Sequence, residues 1–258
     1  MSVASGNIAQ MKYGLDITSA GEWGQPEQIA ELAALAEDHG WDGVFCEDYL
    51  AFPGGGPTYD VWVTLGLIAQ ATTRVTIAPM VAPVPCRHLP TLIGQARAVA
   101  TVSQGRLALG VGSGDPLGDP VVEPVVERGR RRGELLDAAL AEIHEALPEV
   151  PIWVGGAATL PAPRARALAW DGSCLYGVPP PEWEDLSPDA VAALRAEATR
   201  PSYTILVGGR ERRADLTAER RYVRQIADAG ADWWQEYVPP RLSLIEAKRR
   251  IRAGPITA

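Results

Sequence analysis

Cysteine, histidine and positive charge are all scarce in this chain. Its three cysteines, Cys46, Cys86 and Cys174, are odd in number and far apart. They form no CxxC pair, which argues against a disulfide framework or a zinc site and fits a reducing cytoplasm. The three histidines, His39, His88 and His144, fall on a helix end, a loop and a helix, so no metal cluster is expected. His88, beside Arg87, is placed where it could touch a ligand. A net charge of -8 excludes the basic footprint of a nucleic-acid surface. It still leaves room for an anionic cofactor held by a few arginines or backbone amides. No apolar run approaches the length of a membrane span, and no charged-then-apolar leader is visible. Repeats and low-complexity segments are also lacking. Residues 1–11 are expected to form a loose tail, and 12–258 a single domain.

What is present is a soluble composition, 47% hydrophobic and 22% charged, with strand and helix signals alternating from Lys12 onward. The most informative stretch runs from Gly105 to Pro116. Its apolar run, Leu107 to Val111, suits a strand buried on both faces of a parallel sheet. It opens into Gly112-Ser113-Gly114, small residues that let backbone approach a ligand, followed by the carboxylate of Asp115. Seven further strands are read at Tyr13–Ile17, Gly43–Asp48, Val75–Ala82, Pro151–Gly156, Ser173–Tyr176, Tyr203–Val207 and Asp232–Tyr237. Helical patterns separate them, many opened by proline and one stopped by Gly40. Eight strand–helix units in this length predict a (β/α)₈ barrel, with an open doubly wound sheet as the alternative.

In a barrel the C-terminal strand ends share one mouth. Those ends are Asp16, Glu47-Asp48-Tyr49, Met80-Val81-Ala82, Gly112 to Asp115, Gly155-Gly156, Tyr176-Gly177, Gly208-Gly209 and Glu236. Carboxylates, tyrosines and diglycine turns suit an anionic, planar, partly apolar ligand. Gly155-Gly156-Ala157 leads into a helical segment carrying Arg164 and Arg166, where free amides and a guanidinium could cradle a phosphate. Arg128, Arg130, Arg131 and Arg132 could supply a further basic rim, but their plain reading is a solvated helix start.

With these strand ends laid out, the chain resembles the luciferase-like monooxygenase superfamily of flavin- and deazaflavin-dependent barrels. The resemblance rests on Ala36–Phe45, Thr73–Pro83, the Gly105–Pro116 segment, Ile152–Gly156, Ala169–Gly172 and Ala229–Glu236. It implies an isoalloxazine-type ring, from FMN or a deazaflavin coenzyme (F-420), in the mouth. The ring would be backed by a third-strand bulge with a non-proline cis peptide at Met80-Val81. Gly112, Ser113, Gly114, Gly155, Gly156, Ala157 and Arg164 would complete the cofactor site. A cytoplasmic homodimer is also implied.

Three departures qualify the resemblance. Relatives commonly end the second strand with Asp-His, whereas this chain has Asp48-Tyr49, a phenol in place of an imidazole. Ala157 stands where many relatives carry an arginine. Only Leu147 to Val150 separate the fourth helix from the fifth strand, so the usual covering insertion is shortened and a more open or partner-covered mouth is expected. Asp48, Tyr49 and Asp115 are the candidate catalytic groups. Trp23, Tyr176, Trp183, Trp234 and Glu236 are the candidate substrate contacts. Two readings follow: an oxidoreductase or monooxygenase acting on a small organic molecule, or a cofactor-free relative working as an isomerase, a cyclase or a partner-binding subunit.

Overall fold

The computed structural model describes residues 11–114, 132–178 and 183–258. In chain order the elements are β1 (Lys12–Thr18), α1 (Pro26–Asp38), β2 (Gly43–Glu47), α2 (Val61–Ala71), β3 (Thr76–Pro79), β4 (Ala82–Pro83), α3 (Leu89–Val102), β5 (Leu109–Gly112) and α4 (Arg132–Ala146). Then come β6 (Ile152–Ala157), α5 (Pro161–Ala169), β7 (Gly172–Tyr176), α6 (Pro188–Glu197), β8 (Thr204–Arg210), α7 (Leu216–Asp228), β9 (Trp233–Val238) and α8 (Leu244–Arg252). The sheet order is β3-β2-β1-β9-β8-β7-β6-β5-β4, and every pairing is parallel. Its ends meet where Ile77 bridges Leu107 and Ala108 donates its amide to Ile77 O at 2.9 Å. The result is a closed (β/α)₈ barrel.

The strand expected over Val75–Ala82 is in fact two. β3 pairs with β2, β4 pairs with β5, and the Met80-Val81 peptide between them is cis. The eightfold plan therefore holds with nine strands. Of the expected tail, Met11 is buried and residues 1–10 lie outside the described residues.

Helix starts follow the local chemistry. Pro26 opens α1, Asp60 and Asp215 cap α2 and α7, and Ser243 and Glu246 form a reciprocal capping box on α8. The helices bury one face against the outer side of the barrel, where Leu15, Ile17, Leu65, Ile77 and Leu109 are fully covered. Inside the barrel sits a second, smaller core of Phe45, Ala78, Ala108, Trp153, Leu206 and Trp233. Large rings fit there because neighbouring inward positions lack side chains. A Cβ on Gly14 would lie 2.2 Å from Phe45, and one on Gly172 would lie 2.7 Å from Trp153. This aromatic plug closes the lumen and puts any site above it.

Candidate active site

Strand alternation decides which strand-end residues face the mouth. On β9, Trp233 enters the plug, so Gln235 points inward and Trp234 and Glu236 point outward. On β1 and β2 the inward residues above the plug are Asp16 and Glu47. Together with Met80, Val81, Gly155, Gly156, Cys174, Tyr176, Trp183, Leu206, Gly208 and Gly209 they line a cavity of about 190 Å³.

Glycine shapes two of its walls. A Cβ on Gly112 would stand 2.8 Å from Val81 Cγ2, and one on Gly155 would stand 3.1 Å from Val81 Cγ1. Val81 thus occupies space left by two glycines, which seats the 80–81 peptide against the mouth. Opposite it, Gly209 has φ +94° and brings its backbone close to Gln235 and Trp183.

The polar floor is acidic and buried. Asp16 Oδ2 accepts a hydrogen bond from Gln235 Nε2 at 2.6 Å, whereas Asp16 Oδ1 and Gln235 Oε1 are buried without a partner. Glu47 accepts from the Thr18 hydroxyl and, at 3.3 Å, from the Tyr49 hydroxyl; the Tyr237 hydroxyl bonds to Thr18 at 2.9 Å. Burial, then the neighbouring Glu47 charge, pushes the Asp16 carboxyl well above its ordinary range. Burial also raises Glu47, against the pull of its hydroxyl donors. The same desolvation pushes the Cys174 thiol up to about 12.

Several expected site residues stand at this cavity: Met80, Val81, Gly155, Gly156, Tyr176 and Trp183. Gly112 backs Val81, and Ala157 is buried at the end of β6. Ser113 and Gly114 lie beside it at the rim, their carbonyls receiving Arg132 Nη1 at 3.5 and 3.3 Å. Tyr49 reaches the site through Glu47. Asp48 is buried one position along and ion-paired with Arg87, and burial pushes its carboxyl up to about 6 despite that guanidinium.

Other expected contacts are elsewhere. Trp23 is buried with its indole donating to Leu242 O at 2.7 Å. Trp234 packs edge-on to Tyr222 beneath α7, and Glu236 pairs with Arg212 at 2.8 Å, both outside the barrel. Arg164 is ion-paired with Glu197 at 2.9 Å. His88 is an exposed residue at the start of α3, bonded to Thr91. Asp115, Arg128, Arg130 and Arg131 lie outside the described residues. Among the described residues no three His, Cys, Asp or Glu side chains gather to hold a metal. None of the described helices is long and apolar enough to cross a membrane.

A cis-bulged, glycine-lined mouth above a plugged barrel can be compared with known proteins. The family model described as luciferase-like monooxygenase matches residues 12–139. That stretch belongs to the luciferase-like family, and the barrel as a whole has its fold. It is 31% identical over 187 residues to the F420-dependent glucose-6-phosphate dehydrogenase of Nakamurella multipartita, covering 70% of this chain and 50% of that one. The chain thus spans about half the length of that curated relative. Solved luciferase-like structures share the fold at lower identity. A monooxygenase from Streptomyces bottropensis superposes with TM-score 0.71 at 18% identity, covering 94% of this chain and 97% of the other. The coenzyme F420 dependent tetrahydromethanopterin reductase of Methanopyrus kandleri gives 0.68 at 11% identity, covering 95% and 97%.

Proposed function

We propose that this luciferase-like protein is a deazaflavin-dependent oxidoreductase that moves a hydride to or from a small organic substrate at the barrel mouth. The observation that carries it is the seating of Val81 on Gly112 and Gly155, which presents backbone rather than side chain to the cavity. Residues present fit a ring-bearing cofactor: the glycines of β6 and β8 keep two walls low, and the buried Gln235 Oε1 awaits a donor. The similarity above 30% to an F420-dependent dehydrogenase favours a deazaflavin over FMN.

Met80 and Val81 would support the ring, and Gly155 and Gly156 would offer amides to the anionic tail. When bound, the cofactor supplies the hydride; the protein supplies position, shelter from water and a proton. Tyr176 and Trp183 would flank the substrate as apolar walls with polar edges.

A second reading, a cofactor-free member with non-redox or partner-binding work, gains from one observation. The arginine expected beside the diglycine turn is committed to Glu197. Fluorescence titration of the purified protein with deazaflavin and with FMN separates the two. Saturable deazaflavin binding, tighter than FMN, is expected; no saturable binding of either would overturn the redox proposal.

A further inference from the structure

Asp16 and Glu47 are diagonal neighbours: Thr18 stands opposite Glu47 in the β1–β2 register, and Asp16 stands opposite Phe45. Both enter the same cavity, directly above the plug, but they are not equivalent. Glu47 is surrounded by hydroxyl groups from Thr18, Tyr49 and Tyr237, donors that suit a carboxylate. Asp16 accepts from Gln235 on Oδ2 and from the Ile17 amide, with no hydroxyl donor among its partners. Its Oδ1 is buried without a partner, and the residue lines the cavity. Two adjacent carboxyls this deeply buried do not both ionise. The better-solvated one keeps the charge, and the one with a free oxygen keeps the proton.

We propose that Asp16 is the catalytic acid–base of this site, holding a proton on Oδ1 and exchanging it with the oxygen of a carbonyl or alcohol substrate. Glu47 is its positioning residue, and its charge keeps the proton in place. The inference rests on the hydride reading for its chemistry, although the proton's location does not. In the reducing direction the new C–H bond at the carbonyl carbon would form with the hydride that a reduced deazaflavin would release from its own C–H bond. The C=O π pair moves to oxygen, which takes the proton from Asp16 Oδ1 and leaves a carboxylate that water reprotonates. Oxidation of the alcohol runs the same steps backward, with Asp16 entering as carboxylate. Tyr49 stands where the resemblance leads one to expect an imidazole. Its hydroxyl serves Glu47, so the proton-transfer duty falls on the neighbouring strand.

Other titratable groups face this pair: Cys174 from β7 and Tyr237 from β9, both raised by burial, with Tyr49 beyond β2. The test is infrared difference spectroscopy of the cofactor-free protein across a pH series. A carboxylic C=O band, shifted in D₂O, is expected at neutral pH and should vanish in Asp16→Asn. Glu47→Gln should lower the pH at which the band disappears by about one unit or more, because the repelling charge is gone. A merely structural Glu47 would not move that midpoint downward. Absence of the band in the wild type, or its survival in Asp16→Asn, would overturn the assignment.

With deazaflavin bound, Asp16→Asn should keep its affinity within about twofold while turnover falls about a hundredfold or more. Unchanged turnover would overturn the catalytic role. Failure of the wild type to bind any deazaflavin would overturn the hydride reading instead, with the infrared band still deciding where the proton sits. Should Asp16→Asn not fold, the Glu47→Gln midpoint decides.

Discussion

Glu37, at the end of α1, ties that helix to the strand after next. Its carboxylate accepts from the amides of Thr73, Arg74 and Val75 at 2.9, 2.6 and 2.8 Å, and from the Thr73 hydroxyl at 3.0 Å. Those donors outweigh desolvation and hold its carboxyl down to about 2. A folded pKa below the unfolded one gives stability that is present above about pH 4.5 and lost as pH falls towards 2. Glu37→Ala is expected to cost about 2 kcal/mol at pH 7, read by urea unfolding, and the deficit should shrink on acidification. At the mouth, one methyl group tests the cofactor cradle. Gly112→Ala places Cβ 2.8 Å from Val81 and should weaken deazaflavin binding about tenfold. Pairing it with Val81→Ala should return most of that affinity, because the overlap is then relieved. Equal loss in the double variant would show that the two side chains are not coupled.

At the scale of elements, β9 shows what the sequence could and could not convey. Alternating strands and helices were legible because buried parallel strands read as short apolar runs and the helices carry proline starts and capping residues. The mouth was legible wherever glycine marked it, as at Gly112 and Gly155-Gly156, and at the third-strand bulge. Facing was not. Trp233-Trp234-Gln235-Glu236 puts one indole and one polar group on each side of the sheet, so alternation alone is silent about which pair looks inward. Trp234 and Glu236 were therefore expected in the site and Gln235 was passed over, while Asp16 and Glu47 were placed at the mouth without a catalytic part. Gly14 and Gly43, which make room for Phe45, held a clue to the inward register. The outward Glu236 has a structural task that can be measured. It is buried against Arg212, which also donates to Gly254 O at 2.6 Å and so fastens the segment after α8. Arg212→Ala leaves that carboxylate buried without its cation and should cost about 3 kcal/mol in urea unfolding. The deazaflavin affinity should stay unchanged, since neither partner touches the cavity.

Across the whole molecule the titrating groups pull unequally. Asp16, Glu47, Asp48, Asp185 and Glu236 are all raised, each chiefly by burial, with Asp48 reaching about 6. Glu37 pulls the other way but over a lower window, down to about 2. The lowered carboxyls Glu197 and Glu246 are fully solvated partners of surface groups and weigh little. A carboxyl whose folded pKa exceeds its unfolded one gives stability that is complete below the unfolded value and lost as pH rises through the folded value. Between about pH 4 and pH 6 the folded chain binds more protons than the unfolded one, so unfolding releases protons and stability falls with rising pH. Thermal melts at constant ionic strength should therefore give a Tm higher at pH 5 than at pH 8, by about 3 °C or more. Asp16→Asn should flatten that slope, because it removes one of the protons released on unfolding. A Tm that climbs steadily from pH 5 to pH 8 would mean that the buried carboxyls ionise freely in the fold.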